Sequence, residues 1–346
     1  WRTRLPRPFR TGRDRLFCGP GAGRYHGAMS TTGSITRLAP SPTGALHLGN
    51  ARTFLANHLL ARQNGWRVLM RIEDLDGPRT KPGASQQTLD DLTWLGLAWE
   101  LPVIRQSTRQ AAYGAALERL IDLGVAYPCV CSRKDIELAA SAPHVEDRQG
   151  VYPNTCRGRF RTAEEAGERT NRPVAWRVRT GDTPITIDDA FAGRRTFDLR
   201  RTCGDFVIFR RSGLAAYQLA VVVDDCAAGV DAVVRADDLL ESAARQTLLR
   251  RLLGLGPEPR YWHLPLVIGR DGRRLAKRHG DTRIDRYRQH GTPVERVLGL
   301  LGFWLNAIDR RRETDLAELI ERFDPARVSR EPVLFTREDD RFLLDA

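Results

Sequence analysis

The chain has 346 residues, is 41% hydrophobic and carries a net charge of +12, so it can bury a large core and form more than one domain. It contains no run of about 18 apolar residues, which excludes a membrane-spanning helix. Residues 1–28 hold seven arginines and one aspartate, a balance of +6, so the rest of the chain supplies only the other +6. This basic character is compatible with an RNA partner, and an arginine-rich composition explains it equally well.

The first 28 residues differ in composition from the remainder. They begin at Trp1, precede the first methionine, Met29, and are rich in arginine, glycine and proline without the apolar centre of a secretory signal. We expect a non-native upstream translation or a disordered basic extension. The six cysteines have no disulfide-framework spacing, and no export signal is present, so we expect a reduced, cytoplasmic setting.

Strands and helices alternate in the part of the chain that follows. We predict strands at Ile35–Ala39 and Arg67–Ile72, and helices at Gly49–Gln63, Ser85–Leu95 and Arg109–Leu123. Such alternation is typical of a parallel α/β sheet. Ligands of these sheets bind beyond the carboxyl ends of the strands. The first strand ends at a Pro/Gly-rich turn over residues 40–44, where we therefore expect a ligand.

The pattern changes between residues 127 and 202, where clustered cysteines, turn residues and short β-type runs (Val174–Val178, Ile185–Ile187) predict a small inserted domain. Strand character resumes at Asp205–Arg210 and Leu219–Val223, and helices are predicted at Leu239–Leu252, Glu295–Leu305 and Leu316–Phe323. We accordingly assign residues 29–126 and 203–285 to the two halves of one α/β domain, 127–202 to the insertion and 286–346 to a helical C-terminal segment.

Two cationic motifs indicate a phosphate-bearing ligand. In the first, Pro-Ser-Pro-Thr-Gly precedes His47 at the opening of a helix, which offers backbone N–H groups, a helix N-terminus and an imidazole to an anion. In the second, Arg274-Leu-Ala-Lys-Arg278 places an ammonium group between two guanidinium groups. Two such motifs far apart in the chain predict a nucleotide held between the halves of one fold.

Together these motifs resemble the HIGH and KMSKS signatures of class I aminoacyl-tRNA synthetases. Three further stretches are similar to the glutamyl branch of that family and occur in its order: Arg71-Ile-Glu-Asp-Leu-Asp76, Tyr217 to Asp225, and His263-Leu-Pro-Leu266. The resemblance runs from about residue 35 to about residue 330. It implies a Rossmann-like parallel sheet with an inserted zinc-binding domain and a helical C-terminal part, which activates glutamate with ATP and Mg²⁺.

The resemblance also implies roles for individual residues. The catalytic positions are His47, Asn50 (where the family has a second histidine) and Lys277, and Arg274 replaces the first lysine of KMSKS. The glutamate-binding positions are Arg37, Ala39, Ser41, Glu73, Tyr217 and Arg235. The ATP-binding positions are Pro42, His47, Gly49 and Lys277. The residue types alone leave simpler roles open, namely a helix cap for His47, core packing for Tyr217 and a surface ion pair for Arg235.

A second cluster of residues predicts a metal site. Cys129-Val-Cys131 supplies two thiolates of the four ligands that zinc prefers, and Cys156 supplies a third. Spacing alone leaves the fourth ligand open, with His144 as the usual candidate, whereas the family resemblance implies Tyr152. A hairpin of reduced cysteines without metal is the simpler alternative.

The sequence ends at Ala346, where full-length glutamyl-tRNA synthetases continue into an anticodon-binding region. It therefore resembles the truncated, stand-alone paralogues of that branch. This resemblance implies tRNA-independent activation of glutamate and its transfer to the queuosine base of the tRNA(Asp) anticodon. The alternatives are a conventional glutamyl-tRNA synthetase core that charges a tRNA 3′ end, and a catalytically weak tRNA-binding protein. We expect a monomer without a membrane partner.

Overall fold

The structure, a computed structural model, describes residues 33–42, 44–75, 82–140, 151–275 and 281–345. The N-terminal extension, His144 and Lys277 lie outside these ranges. The strands are β1 (Ile35–Leu38), β2 (Arg67–Ile72), β3 (Glu100–Arg105), β4 (Ala126–Cys129), β5 (Ala175–Val178), β6 (Ile185–Asp189), β7 (Gly193–Phe197), β8 (Phe206–Phe209), β9 (Ala232–Ala236), β10 (Arg260–Leu264), β11 (Val267–Ile268) and β12 (Val333–Leu334).

The helices are α1 (Leu48–Gln63), α2 (Ala84–Trp94), α3 (Gln110–Asp122), α4 (Arg133–Ala140), α5 (Ala163–Thr170), α6 (Leu199–Thr202), α7 (Tyr217–Ala227), α8 (Leu240–Leu253), α9 (Ile284–His290), α10 (Val294–Trp304), α11 (Leu316–Arg322) and α12 (Arg337–Leu344). None of the helices in the described ranges is long and apolar enough to cross a bilayer. The predicted helices are confirmed to within one or two residues at their ends.

The parallel strands bring their carboxyl ends, where a ligand is expected, to one edge of the sheet. Strands β1, β2 and β3 pair in parallel in that order, and β9, β10 and β6 form a second parallel set that the antiparallel β7 extends. The two sets adjoin at β1 and β9, where the Asp231 N–H donates to the Ile35 carbonyl (3.1 Å). The ends of β1, β2 and β9 therefore open at one edge, which confirms the predicted parallel α/β fold.

The segment predicted as an insertion divides between two sheets. Strands β4, β5 and β8 form a separate antiparallel sheet, and a small apolar cluster that includes Tyr127, Tyr152 and Phe160 packs beside it. The β6–β7 hairpin instead joins the main parallel set through β10, where Asp189 pairs with Tyr261. The domain boundaries placed at residues 127 and 202 remain predictions.

The predicted strand at Leu219–Val223 is wrong, because these residues lie within α7. Residues 218–226 of this helix are all buried. A helix buried on all sides shows no polar stripe of period 3.6, and consecutive valines favour a strand by local propensity. Packing against α8, α3 and β8 overrides that preference.

The C-terminal helices pack on α1 around the largest apolar cluster. Arg52 of α1 is fully buried within this contact and donates to the carbonyls of Pro265 (2.7 Å) and Trp304 (3.3 Å). The guanidinium thus connects α1 to the segment after β10 and to the end of α10. This fixes the helix that follows His47 against the C-terminal part of the chain.

Candidate active site

A cavity of about 510 Å³ opens where β1, β2 and β9 end, the position at which open parallel sheets bind ligands. Its wall brings together nine of the residues predicted from the sequence: Arg37, Ala39, Ser41, His47, Gly49, Asn50, Glu73, Tyr217 and Arg235. Pro42 is buried in the preceding turn and is not part of this wall. Residues from both parallel strand sets thus face one cavity.

His47 caps α1 and lines the cavity at the same time. Its Nδ1 accepts hydrogen bonds from the backbone N–H groups of Gly49 (3.1 Å) and Asn50 (3.3 Å). Because Nδ1 is an acceptor, the neutral ring carries its proton on Nε2, which is therefore a donor. Burial, with a smaller effect of Arg274, lowers the pKa of His47 to about 4. The imidazole is neutral at pH 7, and capping does not preclude a hydrogen bond to a ligand.

Gly49 lies in close contact with this imidazole. A Cβ at position 49 would lie 3.1 Å from Cε1 and 3.2 Å from Nδ1 of His47. These distances are shorter than ordinary van der Waals contact, so a side chain here would displace the ring. The absence of a side chain at Gly49 lets the ring lie over the first turn of α1.

Two buried arginines on adjacent strands have contrasting surroundings. Arg71 of β2 pairs with Asp225 and with Glu73 (3.0 Å), and these carboxylates outweigh burial and raise its pKa. Arg37 of β1 lies 3.5 Å from Asp225, and its Nε has no hydrogen-bond acceptor among the described residues. Burial lowers the pKa of Arg37. A carboxylate bound in the cavity would therefore stabilise the Arg37 guanidinium, whereas Arg71 already has two carboxylate partners.

Glu73 is a buried carboxylate of the cavity wall, where it carries the charge opposite to that of Arg37. Its Oε1 accepts from Arg71, and its Oε2 lies 3.4 Å from the Ser41 hydroxyl. Burial raises the pKa of Glu73 in spite of Arg71 and Arg37, so a cation in the cavity would stabilise its ionised form. Burial, together with the Glu73 charge, also raises the pKa of Tyr217, which keeps that phenol protonated as a donor.

Arg235 at the end of β9 is buried, which rules out the surface ion pair left open by the sequence. Its Nε donates to His263 Nε2 (2.8 Å), its Nη1 to Gln246 Oε1 (2.9 Å) and its Nη2 to the Leu239 carbonyl (3.2 Å). An arginine has five N–H donors. Two of them therefore have no acceptor among the described residues, and Arg235 lines the cavity, where a ligand could accept from them.

Arg274, the first residue of the second cationic motif, also lines the cavity. Its Nη1 donates to Asp238 Oδ2 at 2.7 Å, and half of its side chain is exposed. Lys277 follows outside the described residues. The part of the motif that is described therefore reaches the same cavity as His47.

Sequence reasoning assigned no role to four residues that support the wall: Arg71, Asp189, Asp225 and His263. Each is a charged or titratable residue within a buried strand or helix. Such a group is costly to bury without a partner. Arg71 after three apolar residues of β2, and Asp225 after three valines and Asp224, could have been found by that signal, but their partners could not.

The predicted metal ligands converge beside β4. The Sγ atoms of Cys129, Cys131 and Cys156 lie within 4.8 Å of one another. The Tyr152 hydroxyl lies 3.4 Å from Cys129 Sγ and 3.7 Å from Cys131 Sγ. Three sulfurs and one phenol oxygen provide the four ligands of a tetrahedral site. These residues therefore fit a metal ion.

Arg177 makes the electrostatics of this cluster favourable to a thiolate. Its Nε donates to Cys129 Sγ at 3.3 Å, and its Cζ lies 3.6 Å from the centre of the Tyr152 ring. Hydrogen bonds from Cys131 and Tyr152, together with Arg177, lower the pKa of Cys129. The thiolate is the form of cysteine that binds metal.

Comparisons with known proteins agree with this geometry. Residues 35–339 match the family described as tRNA synthetases class I (E and Q), catalytic domain. A glutamyl-Q tRNA(Asp) synthetase from Rhodopirellula baltica is 44% identical over 320 residues, which cover 87% of this chain and 96% of that protein. A protein of the same name from Nocardia farcinica is 48% identical over 307 residues, with 88% and 94% covered.

Solved structures give the same result. A glutamate tRNA ligase from Elizabethkingia meningosepticum, in complex with its amino acid, superimposes with a TM-score of 0.75 at 25% identity, covering 90% of this chain and 68% of that one. The glutamate-tRNA synthetase of Elizabethkingia anophelis gives 0.76 at 25% identity, with 90% and 70% covered. The resemblance inferred from the motifs is confirmed, and the chain belongs to the class I tRNA synthetases of the glutamate and glutamine (E and Q) group.

Proposed function

We propose that the protein activates glutamate with ATP to form glutamyl-adenylate, and then transfers the glutamyl group to the queuosine base in the anticodon of tRNA(Asp). The relatives named glutamyl-Q tRNA(Asp) synthetase support this function, because the matched residues cover 94–96% of the length of two of them. The tRNA partner rests on those names alone. Activation of glutamate rests in addition on the cavity.

The observation that carries the proposal is the charge pattern of the cavity wall. Its charged residues in the described ranges are Arg37, Glu73, Arg235, Asp238 and Arg274. Asp238 and Arg274 pair with each other, which leaves two guanidinium groups and one carboxylate. Glutamate has the complementary pattern of two carboxylates and one ammonium group.

In the proposed complex, Arg37 and Arg235 each bind a carboxylate of glutamate, since guanidinium groups grip carboxylates through two N–H donors. Glu73 binds the α-ammonium group. The hydroxyl groups of Ser41 and Tyr217 orient the amino acid, and Ala39 keeps the wall open beside it. Each of these residues lines the cavity.

Adenylate formation needs donors for phosphoryl oxygens and no proton transfer. A glutamate carboxylate oxygen forms a bond to the α-phosphorus while the bond between the α-phosphorus and the bridging oxygen breaks, and pyrophosphate leaves with that electron pair. His47 Nε2–H and the Asn50 side-chain amide donate to the oxygens that gain charge, and the dipole of α1 favours that charge. Lys277 neutralises the leaving pyrophosphate, and Mg²⁺, when bound with ATP, would supply further positive charge there. Gly49 and Pro42 shape the turn that admits the nucleotide.

We also propose that Cys129, Cys131, Tyr152 and Cys156 hold one zinc ion. The convergence of three sulfurs and a phenol oxygen supports this assignment. A closed site with four protein ligands is structural and leaves no position for a substrate. When bound, the ion would link β4 to the segment that follows residue 150.

The test is ATP–pyrophosphate exchange with glutamate, run with and without tRNA, with glutamine as the control amino acid. We expect glutamate-dependent exchange without tRNA, followed by transfer of labelled glutamate to tRNA(Asp) that contains queuosine but not to a transcript that lacks it. Exchange only in the presence of tRNA would indicate the conventional synthetase. Absence of exchange under both conditions would reject the activation step.

A further inference from the structure

Three buried side chains form a line behind the cavity. Arg235 Nε lies 2.8 Å from His263 Nε2, and His263 Nδ1 lies 2.6 Å from Asp189 Oδ2. Their exposed fractions are 5%, 1% and 5%. Only Arg235 reaches the cavity wall, so the other two act on a ligand only through it.

The direction of both hydrogen bonds follows from Arg235. A guanidinium group donates and never accepts, so His263 Nε2 must be the acceptor. The proton of the neutral ring is then on Nδ1, which donates to Asp189. Burial lowers the pKa of His263, with a further contribution from Arg235, in agreement with a neutral imidazole in this tautomer.

Asp189 is itself held in one orientation by backbone groups. Its Oδ1 accepts from the N–H groups of Phe191 (2.9 Å), Ala192 (2.6 Å) and His263 (3.2 Å). Its other oxygen, Oδ2, therefore faces the imidazole. The carboxylate at the end of β6 is thus rigidly placed as an acceptor for the His263 ring.

We propose that Asp189 and His263 are positioning residues for glutamate recognition: Asp189 fixes the tautomer of His263, and His263 Nε2 then aims the free N–H donors of Arg235 at a glutamate carboxylate. The inference rests on the proposed function. It adds that part of the amino acid pocket is built by the β6–β7 hairpin, from the segment that interrupts the two halves of the α/β domain.

The decisive variant is Asp189→Asn. The three backbone donors hold the amide oxygen at the Oδ1 position, so the amide NH₂ faces His263 and the ring must accept through Nδ1. The His263 proton then moves to Nε2, where it opposes the Arg235 N–H. An unsatisfied buried donor of this kind raises the KM for glutamate about 10- to 100-fold in pyrophosphate exchange, and the KM for ATP stays within about twofold.

Rescue separates positioning from a general loss of structure. In the double variant Asp189→Asn/His263→Gln, the introduced amide oxygen can accept from Arg235 Nε without depending on residue 189. We expect its glutamate KM to return to within about fivefold of that of the unmodified protein. The matched control is Thr292→Val, which removes a buried hydrogen bond to the Leu343 carbonyl (2.9 Å). Neither residue lines the cavity, so both KM values should stay unchanged.

A second pair of single variants keeps the test decisive if Asp189→Asn does not fold. His263→Gln keeps an acceptor for Arg235, whereas His263→Leu removes it, so only the leucine variant should raise the glutamate KM. Equal rises in the KM for glutamate and ATP, an unchanged KM in Asp189→Asn, or failure of the double variant to recover would overturn the proposal. Exchange by the unmodified protein is measured first, because its absence would reject the proposed function rather than the positioning roles.

Discussion

Replacement of Arg37 by glutamine should remove activity without weakening the fold. Its nearest carboxylate, Asp225 at 3.5 Å, remains paired with Arg71 in the variant, and the Arg37 Nε has no acceptor to lose. Truncating one partner of a buried charge pair with a ligand costs about 2–5 kcal/mol. We therefore expect kcat/KM for glutamate in pyrophosphate exchange to fall about 30- to 4,000-fold.

Arg71→Gln is the matched control, because the same change is made on the adjacent strand. Arg71 holds both Asp225 and Glu73, so its loss leaves Glu73 without its ion-pair partner and Asp225 with only Arg37 at 3.5 Å, and costs about 3–5 kcal/mol of unfolding free energy. Urea unfolding should show this loss for Arg71→Gln and a change below about 1 kcal/mol for Arg37→Gln. Near-normal exchange by Arg37→Gln, or equal destabilisation of the two variants, would refute the assignment of Arg37 to the ligand.

Four further predictions use other parts of the structure. Gly49→Ala should displace the His47 ring and lower the exchange rate about tenfold, with a normal unfolding curve as the check on folding. Because the pKa of His47 is about 4, its imidazole does not titrate between pH 6 and 8. The exchange rate should therefore depend on pH in the same way in His47→Gln as in the unmodified protein over this range. Cys156→Ser should reduce bound zinc, measured by elemental analysis, and lower the melting temperature, whereas full zinc retention would contradict its role as a ligand. Asp91 is buried with no hydrogen bond to either oxygen among the described residues, and burial raises its pKa from 3.8 to about 6. The folded state therefore holds this proton more tightly and loses up to about 3 kcal/mol of stability as the pH rises from 4 to 6. In urea unfolding, Asp91→Asn should regain part of this lost stability above pH 6 and none below pH 4. An effect of the substitution that does not depend on pH would reject burial of the carboxylate as the cause.

The elements that could be predicted from the sequence are those with a clear apolar period or a recognisable turn. Strand β2 is found at the predicted residues, and α1 begins one residue before its predicted start. The turn after β1 was predicted because proline fixes φ and glycine permits backbone conformations that other residues avoid. The family motifs then indicated which residues line the cavity, because the motifs occur along the chain in the same order as the strands that end there.

The supports behind that wall could not be predicted in the same way. Asp189 and His263 lie far apart in sequence and meet only because β6 pairs with β10. The contrast between Arg37 and Arg71 likewise depends on which of them lies nearer to Asp225. Such distances are set by the register of the sheet, and no local pattern encodes them.

Helix α7 was predicted wrongly as a strand, and it also carries Asp225, a support of the cavity wall that the sequence did not predict. Tyr217, Asp224 and Asp225 have the spacing i, i+7 and i+8, which places them on one helical face. Tyr217 reaches the cavity, Asp225 pairs with Arg71, and Asp224 accepts from Gln106 and Tyr113, both at 2.8 Å. A helix that carries buried aspartates needs apolar residues on every other side, and those residues mask its period in the sequence. The apolar residues that surround Asp225, the partner of Arg71, are therefore the reason why the sequence did not show this segment as a helix.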